Sequence, residues 1–257
     1  MKIKGTVFVA TLPMAKKLKL NAEEHKLINS FVFPAIIVSL MWMVKGSEIV
    51  FGFSAGQFGI RPLELSGLTG IILSPFIHGD WNHLFANTIP MLVLPAALFY
   101  FYRSLAFRIL LLTTLICGFW VWAGARDASH IGASGVIYGL ASFLMVSGFI
   151  RKENRLMALS LVVVFLYGSF VWGIFPELFP EKNISWESHL SGLVTGLLLA
   201  YFFRKEGPQR PTFTWEGEDE TDESGNGKPE PPEEEYWNIP EPDRKDLTVV
   251  YRFRRKE

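Results

Sequence analysis

A set of long apolar runs between about residues 31 and 203 limits this chain most. They are separated by short polar or glycine-rich stretches. A hydrocarbon layer is ~30 Å thick and a helix rises ~1.5 Å per residue, so runs of this kind suit membrane crossing. Inside such a layer each backbone N–H and C=O must be satisfied within the protein, and a helix does that within a single segment. The runs predict an all-α membrane protein with a bundle of six transmembrane helices. The spans fall at about residues 31–44, 82–102, 105–122, 133–150, 156–175 and 188–203. The first is short and carries Pro34.

Charge divides the chain further. Residues 1–205 hold 17 of the 25 Lys+Arg and 10 of the 25 Asp+Glu, so the neutral total conceals a mildly basic body and an acidic end. Three parts follow: a basic cytoplasmic N-terminal segment over 1–28, a membrane domain over 29–205, and an acidic tail over 206–257. The tail is rich in Glu, Asp, Gly and Pro over 214–235, and it is expected to be mostly disordered. Residues 5–15 are apolar, but Lys16-Lys-Leu-Lys19 stands where a signal peptidase site would need small residues. The single cysteine, Cys117, lies in an apolar run and excludes an intrachain disulfide. A basic end that follows an acidic block is not a nucleic-acid footprint. Residues 45–80 are too polar and glycine-rich to span, yet carry Phe51, Phe53, Phe58 and Ile71-Ile-Leu73. They predict a membrane-associated first loop lying at the outer interface.

Orientation comes from the basic residues. With the N-terminus inside, the inner segments hold 13 Lys and Arg and the outer loops hold 4. That bias predicts six spans with both termini cytoplasmic. A bacterial inner (plasma) membrane is the expected location, with the lipid bilayer as the surrounding medium.

Orientation also gives meaning to several polar residues. Gly132-Ala-Ser-Gly-Val-Ile-Tyr-Gly139 places Ser134 at the outer start of the fourth span. His189 opens the sixth span, in His189-Leu-Ser-Gly192-Leu-Val-Thr-Gly196. His83 and Asn87 open the second, after His78. Four polar or ionisable groups thus share one depth, where such groups are costly and functional by default. A serine hydroxyl is a weak nucleophile until a base takes its proton, and histidine, with an ordinary pKa near ~6.5, suits that task. His83 and Asn87 are four apart and share a helix face, from which two donors can stabilise an oxyanion. The backbone N–H of Ser134 adds a third, because early helix N–H groups lack internal partners. Gly135 and Gly139 on one span, with Gly192 and Gly196 on the other, form two smooth strips suited to close helix packing. Tyr138, one turn below Ser134, is placed to stack on the imidazole. No acidic residue is placed within a span to orient His189, so a dyad is expected rather than a triad. Three histidines without a carboxylate or cysteine do not complete a metal site, so no metal or other cofactor is expected. His25 and His130 lie in loops and receive no role.

Together these residues resemble the rhomboid family of intramembrane serine proteases. The resemblance covers about residues 30–205. It rests on Gly132-Ala-Ser-Gly135, on His189-Leu-Ser-Gly192-Leu-Val-Thr-Gly196, and on His78 with His83 and Asn87. It implies Ser134 as nucleophile and His189 as general base. It also implies His83, Asn87 and the Ser134 N–H as the oxyanion hole, and Tyr138 as the residue stacked on the histidine. The substrates implied are single-span transmembrane proteins, cut near the outer face. The Trp-Arg pair often found in the family's first loop is absent, with Arg61 in Gly59-Ile-Arg-Pro62 the nearest substitute. Two other classes fit the same composition: a rhomboid-like scaffold that binds membrane helices without cutting them, and a transporter using His83 and His189 as proton relays. No internal repeat of the kind transporters often carry is present.

Overall fold

The computed structural model describes residues 21–175 and 185–210. The tail expected over 206–257 falls almost wholly outside the described residues, as do residues 1–20. The described chain is helical, with a single isolated β-bridge between Ile60 and His130.

Helix α1 spans Ala22–Phe51 and is longer at both ends than the expected first span. Its start is fixed by a reciprocal cap. Asn21 accepts from the Glu24 N–H at 2.9 Å, and Glu24 accepts from the Asn21 N–H at 2.7 Å. Pro34 lies inside the helix without ending it. Lys45, expected in a loop, sits in the last turns of α1. Its ammonium donates to the carbonyls of His78 at 3.1 Å and Gly79 at 2.9 Å, and pairs with Glu48 at 3.0 Å. Glu48 in turn accepts from the Ala55 N–H at 2.7 Å. The helix therefore continues past its apolar stretch because the following loop satisfies both charges.

That loop is built of short turns, at Ala55–Phe58, Leu65–Leu68, α2 (Gly70–Leu73) and Ser74–Phe76. It is tied down at Trp122, whose carbonyl accepts from the Leu63 N–H at 2.9 Å and whose indole N–H donates to the Glu64 carbonyl at 2.8 Å. Arg61 pairs with Glu64, at 3.8 Å on the surface.

Then follow α3 (Trp81–Phe101), α4 (Ala106–Gly124), α5 (Ser134–Arg151), α6 (Asn154–Tyr167) and α7 (Trp186–Phe202). Helices α1, α3, α4 and α5 are long and apolar enough to cross a membrane, while α6 and α7 have 14 and 17 residues. The fifth apolar run does not form one α-helix to 175: after Tyr167 it tightens into a 3₁₀ stretch over Gly168–Ile174. Helix α5 is the central element, with residues buried along its whole length. Phe107, Leu111, Phe165, Leu198 and Phe202, on the surrounding helices, are exposed, as lipid-facing side chains must be.

The opposite end of the bundle is closed by a buried cation. Arg151 is 6% exposed rather than a free loop charge. Its guanidinium donates to the Phe203 carbonyl at 2.5 Å, to the Pro208 carbonyl at 3.1 Å, and to those of Arg204 and Glu206. Its Nε donates to the Ser147 hydroxyl at 2.9 Å. The backbone carbonyls that follow the end of α7 are thus tied to α5.

Candidate active site

Helix α5 begins at Ser134 itself. The approach to it turns on Gly132, where φ is +108°. The Gly132 N–H donates to the Ser74 carbonyl at 2.9 Å, and a Cβ there would lie 2.6 Å from Cε1 and Nε2 of His83. Glycine is needed both for the backbone angle and for the imidazole that lies against it. Gly132→Ala is expected to cost about 1–3 kcal/mol in strain and to displace His83. Thermal unfolding in detergent measures this, and a variant as stable as the wild type rejects the requirement.

Helices α5 and α7 meet backbone to backbone. A Cβ on Gly192 would strike the Gly135 carbonyl, and one on Gly196 would strike the Gly139 carbonyl. A Cβ on Gly135 would come 3.2 Å from the Ser188 carbonyl, and one on Gly139 the same distance from the Gly192 carbonyl. Ser142 stitches the seam lower down, donating to the Leu193 carbonyl at 2.9 Å. This contact sets Ser134 and His189, the sequence neighbours of Gly135 and Ser188, on adjoining helix starts.

His189 is held on two sides. The Tyr138 ring lies parallel to the imidazole, 4.2 Å between centroids and 6° between planes, a contact worth ~0.5–1.5 kcal/mol. On the edge, Nδ1 is 2.8 Å from the Gly173 carbonyl oxygen. Among the described residues the Ser134 hydroxyl has no hydrogen-bond partner, His189 included. Such bonds are often long in unliganded enzymes and tighten with substrate.

His83 and Asn87 share a face of α3. The Asn87 amide donates to the His83 carbonyl at 3.0 Å, and the residue is 5% exposed. His78 precedes α3 and is buried, its ring edge-on to His83 at 4.9 Å between centroids. Neither ring nitrogen of His78 finds a partner among the described residues. Burial pushes its pKa down to about 4, helped by the neighbouring His83. It is therefore a neutral ring near pH 7.

Several participants escaped the sequence. His130 is buried, its Nδ1 2.6 Å from the Ser185 hydroxyl and its Nε2 3.0 Å from the Arg126 carbonyl. Ser185 caps α7, so this imidazole ties the loop before Ser134 to the helix that carries His189. The Ser185-x-x-Ser188 spacing is an N-cap signal, but nothing local points to His130 as its partner. Glu187 is also buried in the first turn of α7, but its carboxylate faces Arg126 at 3.5 Å, and the His189 ring turns to Gly173 instead.

Comparison with known proteins agrees with these features. Residues 65–206, just over half of the chain, match the model of the Rhomboid domain. The chain is 37% identical to the uncharacterized protein Rv1337 of Mycobacterium tuberculosis over 184 residues, 67% of this chain and 74% of that one. It is 32% identical to the uncharacterized protein ML1171 of Mycobacterium leprae over 190 residues, 68% of this chain and 71% of that one. With its apolar helices packed around α5 and its Gly-x-Ser-Gly stretch opening that helix, the chain belongs to the rhomboid family of integral membrane proteins, which includes intramembrane serine proteases and inactive relatives.

Proposed function

We propose that this protein is an intramembrane serine endopeptidase with a Ser134–His189 dyad. The observation that carries the reading is the seam between α5 and α7. On it the imidazole is clamped by Tyr138 and Gly173 beside the start of the helix that opens with Ser134. Helices α6 and α7 complete six crossings in this reading, with both termini on the cytoplasmic side of a bacterial inner membrane. The 1–28 segment and the acidic tail from 206 flank the membrane domain.

Nε2 of His189 takes the Ser134 proton as Oγ attacks the scissile carbonyl of a single-span substrate. The oxyanion is held by His83, the Asn87 amide and the Ser134 N–H, where one donor is worth ~3–4 kcal/mol. The imidazolium passes its proton to the leaving amine. Water, deprotonated by the same nitrogen, then releases the acyl group from Ser134. The substrate helix must unwind locally, because its peptide bonds are shielded by their own hydrogen bonding. Gly135, Gly139, Gly192 and Gly196 bring the two helices close enough for this chemistry, and His78 supports His83 from behind.

One observation favours a second reading, a silent scaffold that binds membrane helices: the Ser134 hydroxyl is unengaged among the described residues. Labelling of the purified protein with a fluorophosphonate probe separates the two. Labelling that requires both Ser134 and His189 supports the protease. A folded wild type that does not label supports the scaffold, and labelling that survives Ser134→Ala assigns the nucleophile elsewhere.

A further inference from the structure

We propose that the backbone carbonyl of Gly173 is the positioning group of the catalytic base, in the place a carboxylate occupies in a triad. The inference rests on the dyad reading above and deepens it. A carbonyl oxygen only accepts, so at 2.8 Å the Nδ1 of His189 must carry the proton. A neutral imidazole has one N–H, which leaves Nε2 with its lone pair free for a hydroxyl proton. The negative end of the carbonyl dipole then also stabilises the imidazolium once that proton arrives. Unlike a buried carboxylate, a carbonyl carries no net charge whose desolvation must be offset.

The local structure makes this carbonyl available. Gly173 lies at the end of the 3₁₀ stretch Gly168–Ile174, where the last carbonyls lack partners within the turn. The Phe175 N–H goes to the Trp172 carbonyl at 3.2 Å, and position 176, from which a 3₁₀ donor to Gly173 would come, is a proline without an N–H. No side chain fits at this point. A Cβ on Gly173 would strike the Tyr138 hydroxyl and come 3.2 Å from Nδ1. Tyr138 therefore fixes the face of the imidazole and Gly173 fixes its edge. The stretch after α6 is thereby part of the geometry of the base, and an outward shift of Gly168–Ile174 would withdraw its acceptor.

The test is nitrogen NMR of full-length Ser134→Ala protein labelled with ¹⁵N-histidine in detergent, with His189 assigned by loss of its signals in a Ser134→Ala/His189→Ala protein. The expected His189 signals are a protonated, pyrrole-type Nδ1 and a bare, pyridine-type Nε2. Adding Gly173→Ala should convert them to an averaged mixture of tautomers. A resident Nε2–H form, or an Nδ1–H form unchanged by Gly173→Ala, overturns the proposal. In the active background, Gly173→Ala should lower kcat about 10- to 100-fold with KM unchanged, as expected for a misplaced catalytic group. Adding Tyr138→Phe, which removes the colliding hydroxyl, should recover part of that loss. A KM effect without a kcat effect counts against the proposal. A wild type that hydrolyses nothing ends the protease reading, and the nitrogen signals then decide the role of the carbonyl alone.

Discussion

Alanine at Ser134 is expected to lower hydrolysis of a transmembrane substrate by about 10⁴- to 10⁶-fold, the range seen when a serine nucleophile is removed from a hydrolase. The fold should not notice. The Ser134 hydroxyl has no partner among the described residues, so its removal breaks no hydrogen bond there, and the unfolding midpoint should match wild type. Alanine at His189 is expected to abolish hydrolysis equally, but with a measurable structural cost. The ring is 8% exposed, stacks on Tyr138 and bonds to Gly173, so its loss removes an aromatic contact of ~0.5–1.5 kcal/mol and a hydrogen bond of ~1 kcal/mol. Hydrolysis of a reconstituted single-span peptide and thermal unfolding of the same samples check both halves. Retention of more than about a hundredth of the wild-type rate by Ser134→Ala would sink the assignment.

Arg151→Leu is expected to be the most damaging substitution away from the site, at about 3–5 kcal/mol. The guanidinium serves the carbonyls of Phe203, Arg204, Glu206 and Pro208, and its Nε serves Ser147. Leucine fills part of the volume but donates nothing. Each buried acceptor left unpaired costs ~1–3 kcal/mol, reduced where another donor is near. The Phe203 carbonyl keeps the Glu206 N–H at 3.0 Å, and the Gln209 amide already reaches the Arg204 carbonyl at 3.2 Å and the Glu206 carbonyl at 3.3 Å, which is why the sum of four full penalties is not expected. Arg151 also lies over the Tyr102 ring at 5.4 Å, a further contact that leucine does not replace electrostatically. Limited proteolysis beyond residue 203 and thermal unfolding in detergent both report on this closure. Unchanged stability would show that water or lipid headgroups satisfy these carbonyls as well as the arginine does.

Much of the site was legible as pattern. The glycine spacing in Gly135/Gly139 and Gly192/Gly196 announces two smooth faces, and in the structure those faces meet with no room for a Cβ. The Tyr138 ring one turn below Ser134 lies against the imidazole. Boundaries were less legible, because apolar composition ends where polar residues begin and helices do not. Lys45 and Glu48 look like loop residues until the loop carbonyls and amides that satisfy them are in view. Arg151 counts as an inner-face charge in the sequence, yet it is buried as a cap.

The sequence by itself determined that this chain is built from apolar helices, that glycine strips pair two of them, and that Ser134, His189, His83 and Asn87 belong to helix starts. These follow from local composition and from periods of three and four residues, which one stretch of chain carries alone. Only the tertiary structure decided what orients His189 and what ties its helix to the serine loop. The Gly173 carbonyl and the His130–Ser185 pair act across 16 and 55 residues of chain, respectively. A backbone carbonyl is present at every position and so leaves no mark in a sequence. Which one points at an imidazole depends on how the 3₁₀ stretch after α6 lies against Tyr138 and the start of α7, and that is a matter of tertiary packing.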